Sequence, residues 1–366
     1  MKIILATPIY PPEIGGPAIY TQKLKEGLEK RGHSVKIVSY QGFKKYPQPL
    51  RIFLYFLALF KSAKECDLIY AFNLISCGLP ACCVSKIAKK QFFVRIGGDF
   101  LWERAVESGR TQKPLREYYE DPEVFKERFW MWLMKKVFNQ TRKIIFTSHF
   151  QKDIYLKFFN LNERKAVIVQ NPFPRPNFQI VAGKPANNYQ LLYAGRLLKL
   201  KNLDFLIRVF NKVLSKTDKE LTLKIIGGGP AEEDLKFKIK SLKLESSVFF
   251  ESSLPQSELF EEIRRAYLCL LPSLTEITPN FALECLKLQK PILLTKETGY
   301  YEALKDNLIF IDPRNELDLE EKIIYLLDER NYFNYIEKIK RIPTQRSWED
   351  VVKEYEESFI YWRDRI

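Results

Sequence analysis

Two glutamates separated by seven residues, Glu276 and Glu284, lie in the segment LPSLTEITPNFALECLKLQKPILLT. Glu276 falls in a loop leaving a short apolar strand, and Glu284 falls on the helix that follows. Thr278 is placed to cap that helix and Pro279 suits its first position, so the amides of Asn280 and Phe281 are expected to face an anion at the positive helix end. A carboxylate on either side of such an anion can accept hydrogen bonds from hydroxyls, one from a hexose and one from a ribose. The pattern points to a bound sugar nucleotide, although a capped helix with two solvated glutamates would read the same way.

Further candidates stand where other apolar runs end. In YAGRLLKLKN, Gly195 and Arg196 follow a strand and Lys201 precedes a helix. A guanidinium that binds bidentately and an ammonium that acts as a point charge suit a diphosphate, and two solvated basic residues are the plain alternative. Gly227, Gly228, Gly229 and Pro230 form a strand-to-helix turn that lets a nucleotide lie against bare backbone. Near the start, PPEIGGPAIYTQKLKEGLEKRGHSV places Gly15 and Gly16 before a helix, where amides can approach a phosphate or simply make a flexible turn. FFVRIGGD ends at Asp99, either a carboxylate for the reacting sugar or incoming hydroxyl, or the cap of the helix LWERAVESG.

These residues need strands to carry them. Continuous apolar runs recur: KIILATPI, VKIVSY, LIYAFN, FFVRIG, KIIFTS and KAVIVQN, then QLLYAGR, TLKIIGG, VFFESS, LCLLPS, PILLTK and NLIFID. Each precedes a helical pattern or a helix-sized gap, which predicts parallel strands buried on both faces and two doubly wound α/β domains. Ligands of such sheets collect beyond the carboxyl ends of the strands, where the candidates lie. The Pro- and Asn-rich stretch Asn171 to Asn188 reads as a linker. The expected division is 1–175, 176–345 and a C-terminal helix, 346–366, packing back on the first domain.

Composition narrows the function classes. With 366 residues and 46% hydrophobic content, the chain can build two cores. Six cysteines without a CxxC pair and two distant histidines give no zinc pattern, and no paired carboxylates suggest a divalent ion, so no metal and no cofactor are expected. The opening MKIILATPIYPPE fits a first strand better than a signal peptide. Leu50 to Phe60, the longest lipophilic run, is far short of the about 20 residues a bilayer span needs, and a cytoplasmic location is expected. Residues 1–180 hold 30 Lys/Arg against 15 Asp/Glu, whereas residues 181–366 hold 29 against 30. The basic first half is expected to meet an anionic partner: lipid head groups, nucleic acid or an acidic acceptor. Lys44, Lys45, Arg51, Lys61 and Lys64 flank Ile52 to Phe60, which reads either as a surface helix in anionic lipid or, preferred here, as a core helix with basic ends. No nucleic-acid module accompanies the charge.

Taken in order, PPEIGGPAIYTQKLKEGLEKRGHSV, AGRLLKLKN, IIGGGP and PSLTEITPNFALECLKLQKPI resemble the retaining glycosyltransferases of family 4. The resemblance implies the GT-B fold, two Rossmann-like domains facing a cleft, the first taking the acceptor and the second the nucleotide. It implies that Arg196 and Lys201 hold the donor diphosphate, that Glu276 contacts the donor sugar and Glu284 the ribose, and that Gly16 brings backbone to the diphosphate. A donor of the UDP or GDP type follows, with a hydroxyl acceptor that is lipid-linked or anionic in many members, and peripheral contact with the inner face of the cytoplasmic membrane. The chain departs from the family at Asn202 and Gln289, and at Ser252 and Ser253, where glycine is usual, and places Asp99 where relatives carry a histidine. An epimerase or a phosphorylase on the same scaffold is the alternative.

Overall fold

The computed structural model describes residues 1–13, 15–174 and 189–360. Most of the expected linker, the 175/176 boundary and the last six residues lie outside the described residues. All twelve apolar runs form strands: β1 (Lys2–Thr7), β2 (Ser34–Ser39), β3 (Leu68–Ala71), β4 (Gln91–Ile96), β5 (Lys143–Phe146), β6 (Ala166–Ile168), β7 (Tyr189–Ala194), β8 (Leu221–Ile226), β9 (Val248–Glu251), β10 (Leu268–Leu271), β11 (Ile292–Thr295) and β12 (Ile309–Ile311). They pair in parallel as two six-stranded sheets, β2-β1-β3-β4-β5-β6 and β12-β11-β10-β7-β8-β9. Every residue of β3, β10 and β11 is buried, as parallel strands covered by helices on both faces require.

Strand order fixes where each sheet offers a crevice. In the first sheet the order reverses beside β1, between β1 and β3. In the second it reverses between β7 and β10. Chains leaving the carboxyl ends of these neighbours diverge to opposite faces and open a gap. The register Leu268↔Leu191 and Cys269↔Leu192 brings the exits of β7 and β10 level with each other, so the loops after Ala194 and Leu271 border one gap.

The chain folds as two compact units. Unit 1 comprises Met1–Glu103, Tyr118–Pro172 and Arg346–Ile366; unit 2 comprises Arg104–Glu117 and Phe173–Gln345. The expected division assigned residues 104–117 to the first domain, and the structure places them with the second. Their polar groups find partners there: Leu115 N–H donates to Thr275 Oγ1 at 2.9 Å, and Arg314 makes a two-bond contact with Glu117 at 2.6 and 2.8 Å.

In unit 1, the Trp348–Ile360 helix packs on the Gly16–Lys30 helix, with Val351, Tyr355 and Phe359 entering the core of Leu5, Leu24, Tyr70 and Phe93. The Tyr355 hydroxyl accepts from Tyr20 and Tyr70 at 3.1 and 2.8 Å. A Cβ at Gly27 would collide with Val352, so the two helices approach closely only because that position is bare.

Candidate functional site

Lys201 ends a short 3-10 turn, Lys199–Lys201, that follows β7. Asn202 then takes a left-handed conformation (φ 60°), which accounts for glycine or asparagine at this position. Its side-chain amide donates to the carbonyls of Pro272 (3.2 Å) and Pro313 (2.7 Å), tying the turn to the exits of β10 and β12. A glycine would supply the angle without those two bonds. Leu274 N–H donates to Leu200 O at 3.0 Å, joining the β7 and β10 loops directly.

Across this junction the Lys201 ammonium meets Glu276 Oε1 at 2.6 Å. Ser273 Oγ donates to the same oxygen at 2.5 Å, and the Glu276 residue is only 6% exposed. The backbone of Glu276 is held as firmly, donating to Glu297 O at 2.8 Å and accepting from Gly299 N at 2.9 Å. A carboxylate so placed is shielded from water, so its pairing with Lys201 is stronger than that of a surface pair. Arg196 is exposed, and its carbonyl accepts from the Tyr193 hydroxyl at 3.1 Å. Burial, above all, holds the Tyr193 phenol well above its ordinary range; Glu276 pushes it further up and Arg196 pulls it down. Lys201 and Glu276 thus meet at the gap between β7 and β10, and Arg196 stands in the β7 loop that borders it.

The glycines after β8 serve mainly the neighbouring loop. A Cβ at Gly227 would strike Gly195 O, and one at Gly229 would strike the Leu197 backbone. Leu197 N–H donates to Gly228 O and Ala231 N–H to Leu197 O, each at 3.0 Å. The Gly227–Gly229 turn is thus packed against residues 195–197, and of its three glycines only Gly228 could take a Cβ without a clash. Gly195 is itself confined, since a Cβ there would lie 2.9 Å from the Tyr193 hydroxyl oxygen. Pro230 is exposed just before the Glu232–Ser241 helix.

The helix bearing Glu284 begins differently from expectation. It spans Asn280–Lys287 with Pro279 at the cap position and no side-chain cap bond. Thr278 does not cap it: its carbonyl accepts from Asn280 N–H at 3.0 Å, and its buried hydroxyl oxygen has no hydrogen-bond partner among the described residues. Of the two amides assigned to an anion, that of Asn280 is already engaged, while Phe281 turns its side chain into the core. Glu284 accepts from Gln256 Nε2 at 3.1 Å, and burial raises its carboxyl to about 7, which the Gln256 bond offsets only in part. Its described polar contact is with Gln256 rather than with the Lys201–Glu276 pair.

Unit 1 settles the two readings of Asp99 in favour of the cap. The residue is 0% exposed; Oδ1 accepts from Trp102 N–H at 2.8 Å, and Oδ2 accepts from the hydroxyls of Tyr119 (2.8 Å) and Tyr155 (2.7 Å). Glu103 Oε1 reaches back to Asp99 N–H at 3.0 Å. Burial raises the Asp99 carboxyl and these bonds pull it back down. With both oxygens engaged and no solvent access, it is not available to a sugar or an incoming hydroxyl. Gly15 and Gly16 open the Gly16–Lys30 helix beside β1; a Cβ at Gly15 would press on Ile9, while Gly16 has nothing within 4 Å.

Sequence reasoning missed Ser273, Tyr193, Thr275 and Glu107. Glu107 accepts from the amides of Lys199 (3.3 Å) and Leu200 (3.0 Å), the first two residues of the turn that presents Lys201. Nothing in the neighbourhood of residue 107 along the chain signals this, because its partners lie more than 90 residues away. Ser273 was within reach: it stands three residues before Glu276.

Comparison with known proteins agrees with this fold. The family model described as Glycosyltransferase Family 4 matches residues 14–174, and that of Glycosyl transferases group 1 matches residues 174–342. An uncharacterized glycosyltransferase of Methanocaldococcus jannaschii is 23% identical over 228 residues, covering 58% of both chains. The chain spans about half the length of the curated relatives it matches. Among solved structures, sucrose-phosphate synthase from Thermosynechococcus elongatus superposes with a TM-score of 0.73 at 14% identity, covering 100% of this chain and 99% of its own. Anabaena Alr3699/HepE, solved in complex with UDP and glucose, superposes with a TM-score of 0.73 at 16% identity, covering 98% of each chain. Two parallel sheets with reversed strand order, a Lys–Glu pair at the second reversal and matches that together run from residue 14 to 342 lead to one conclusion: the chain belongs to glycosyltransferase family 4, with the GT-B fold.

Proposed function

We propose that the protein transfers a sugar from a nucleoside diphosphate sugar, of the UDP or GDP type, to a hydroxyl acceptor with retention of anomeric configuration. The observation that carries this reading is the meeting of Lys201 with Glu276 at the strand-order reversal of unit 2, on loops one of which also carries Arg196. When the bond from the anomeric carbon to the diphosphate oxygen breaks, negative charge grows on the leaving group. Lys201 and Arg196 neutralise it, each such preorganised donor being worth about 2.7 to 4 kcal/mol. Glu276 accepts from hydroxyls of the donor sugar and exchanges part of its contact with Lys201 for them. Glu284 accepts from the ribose. The acceptor oxygen bonds to the anomeric carbon on the face the diphosphate leaves, and its proton passes to the departing phosphate oxygen. Asp99 supports the fold of unit 1 and takes no part in the transfer.

In this reading the residues themselves supply the positive charge, so activity persists in EDTA. The product is a glycan, glycolipid or cell-envelope polysaccharide unit. The basic first half suits an anionic or lipid-linked acceptor, reached by peripheral contact with the inner face of the cytoplasmic membrane.

A thermal-shift panel of UDP, GDP, ADP and their sugar conjugates identifies the donor, because a ligand of the native state raises its melting temperature. Proton NMR of the product then reads the anomeric configuration. Donor turnover without any acceptor would indicate an epimerase, and dependence on inorganic phosphate a phosphorylase; either result would replace the transferase reading.

A further inference from the structure

Three helices of unit 1, Gln48–Ala63, Gly78–Ala88 and Arg128–Gln140, pack side by side, the second lying against both others. They contain 16, 11 and 13 residues and not one aspartate or glutamate, in a chain with 45 acidic residues. Their basic residues are Arg51, Lys61, Lys86, Arg128, Lys135 and Lys136.

The core reading of Ile52 to Phe60 holds only for part of the stretch. Tyr55 and Leu59 are fully buried, but Leu50, Ile52, Phe53 (55%) and Leu57 are exposed. Leu50, Phe53 and Leu57 follow helical spacing and form one stripe, which exposed Lys61 continues. The neighbouring helices add Ile87 (59% exposed), Phe129 (63%) and Trp132 (53%). Lys136 Nζ sits 4.7 Å from the centre of the Trp132 ring. Lys44, Lys61, Lys64, Lys86 and Lys135 make no ion pair among the described residues. Single exposed apolar side chains are ordinary, whereas aromatic and aliphatic groups gathered on adjacent helices that carry basic residues and no acid are not.

We infer that this face is a docking surface for an anionic lipid bilayer, with the apolar stripe entering the head-group boundary and the lysines meeting lipid phosphates. Large apolar side chains on one side and cations around them are what an in-plane membrane helix needs, and three helices without an acid add no repulsion from anionic lipid. A protein partner of mixed charge would not require three neighbouring helices to lack acids. The surface gives the membrane contact proposed above a location, and its test reads vesicle binding alone, so its failure would leave the transfer reaction standing.

The full chain is sedimented with sucrose-loaded vesicles of phosphatidylcholine, with and without phosphatidylglycerol, at 0.1 M salt. Binding to the mixed vesicles and at least tenfold weaker binding to phosphatidylcholine alone are expected. A Phe53→Ser/Trp132→Ser variant and a separate Lys135→Glu/Lys136→Glu variant are each expected to lose at least tenfold in partitioning with unchanged melting temperature; the charge variant keeps the test decisive should the first fold poorly. The inference is overturned if the wild type stays in the supernatant, if the charge variant partitions like the wild type, or if light scattering shows a wild-type dimer that Phe53→Ser/Trp132→Ser dissociates. Capture of a DNA or RNA oligomer through the same lysines, in place of vesicle binding, would overturn it as well.

Discussion

At the scale of single residues, the Lys201–Glu276 contact carries both stability and chemistry. Lys201→Ala removes the ammonium from a nearly buried carboxylate and leaves Ser273 as its remaining side-chain donor. Loss of about 1–3 kcal/mol of stability is expected from the unpaired charge, together with a roughly 100- to 1,000-fold fall in kcat from the lost transition-state donor. Chemical denaturation and steady-state kinetics measure the two separately, and an unchanged kcat would remove Lys201 from the reaction. Glu284 makes a pH prediction. Its carboxyl, raised to about 7 from 4.5, binds more protons in the native state than in the unfolded chain between those values. Stability contributed by this group is therefore present at acid pH and lost as pH rises toward 7, while the acceptor form needed by a ribose appears only as pH approaches and passes 7. Nucleotide affinity should fall below pH 7, and Glu284→Gln should flatten both trends in thermal-shift and calorimetric titrations. The pairing of Lys201 with Glu276 could be anticipated from two motifs of opposite charge at strand ends, but its support by Ser273 and Tyr193 depends on loops that meet only after the sheet has formed. Asp99 illustrates the limit differently: an aspartate before a helix is consistent with a cap and with catalysis, and only the tyrosine hydroxyls from two other helices decide between them.

Elements decide how those side chains are held. The Asn280–Lys287 helix ends with Gln289 N–H bonded to Leu286 O (3.0 Å) and Lys290 N–H to Cys285 O (2.9 Å), the paired bonds of a Schellman close. That close requires a left-handed residue, and Gln289 adopts φ 54° at a cost glycine avoids. Gln289→Gly is expected to raise stability by about 1 kcal/mol, read as a higher denaturation midpoint at constant slope. The family's usual glycine at this position thus marks a conformation the present chain keeps. Lys290, next in line, buries its ammonium against the carbonyls of Arg264 and Ala266, closing the end of the Gln256–Arg265 helix. The segment 104–117 acts on the donor loops in a comparable way. Glu107 holds the Lys199–Lys201 turn and Leu115 binds Thr275, the residue before Glu276. Glu107→Ala should lower kcat several-fold and blunt the response to a second Lys201→Ala substitution, whereas Glu107→Gln, which keeps one acceptor oxygen, should restore part of the loss. Additive effects in that double-mutant cycle would show that the two residues act independently.

Across the whole molecule, the strands were the most readable layer, because burial on both faces turns each into an uninterrupted apolar run such as LIYA or LCLL. Helices with mixed surroundings were less so: Ile52, Phe53 and Leu57 look like core in the sequence and stand outside it. The assignment of residues 104–117 was not readable at all, since local pattern carries no record of which core a loop joins. The returning C-terminal helix is firmly placed in unit 1. Tyr355→Ala removes a buried ring and the acceptor of two hydroxyls, and a loss of about 3–5 kcal/mol is expected, seen as a lower melting temperature. Backbone passes between the units after residues 103, 117, 172 and 345. Anyone grafting a different donor specificity by exchanging residues 173–345 alone would strand Glu107, Leu115 and Glu117 without Lys199, Leu200, Thr275 and Arg314; a working chimera has to import 104–117 from the same parent.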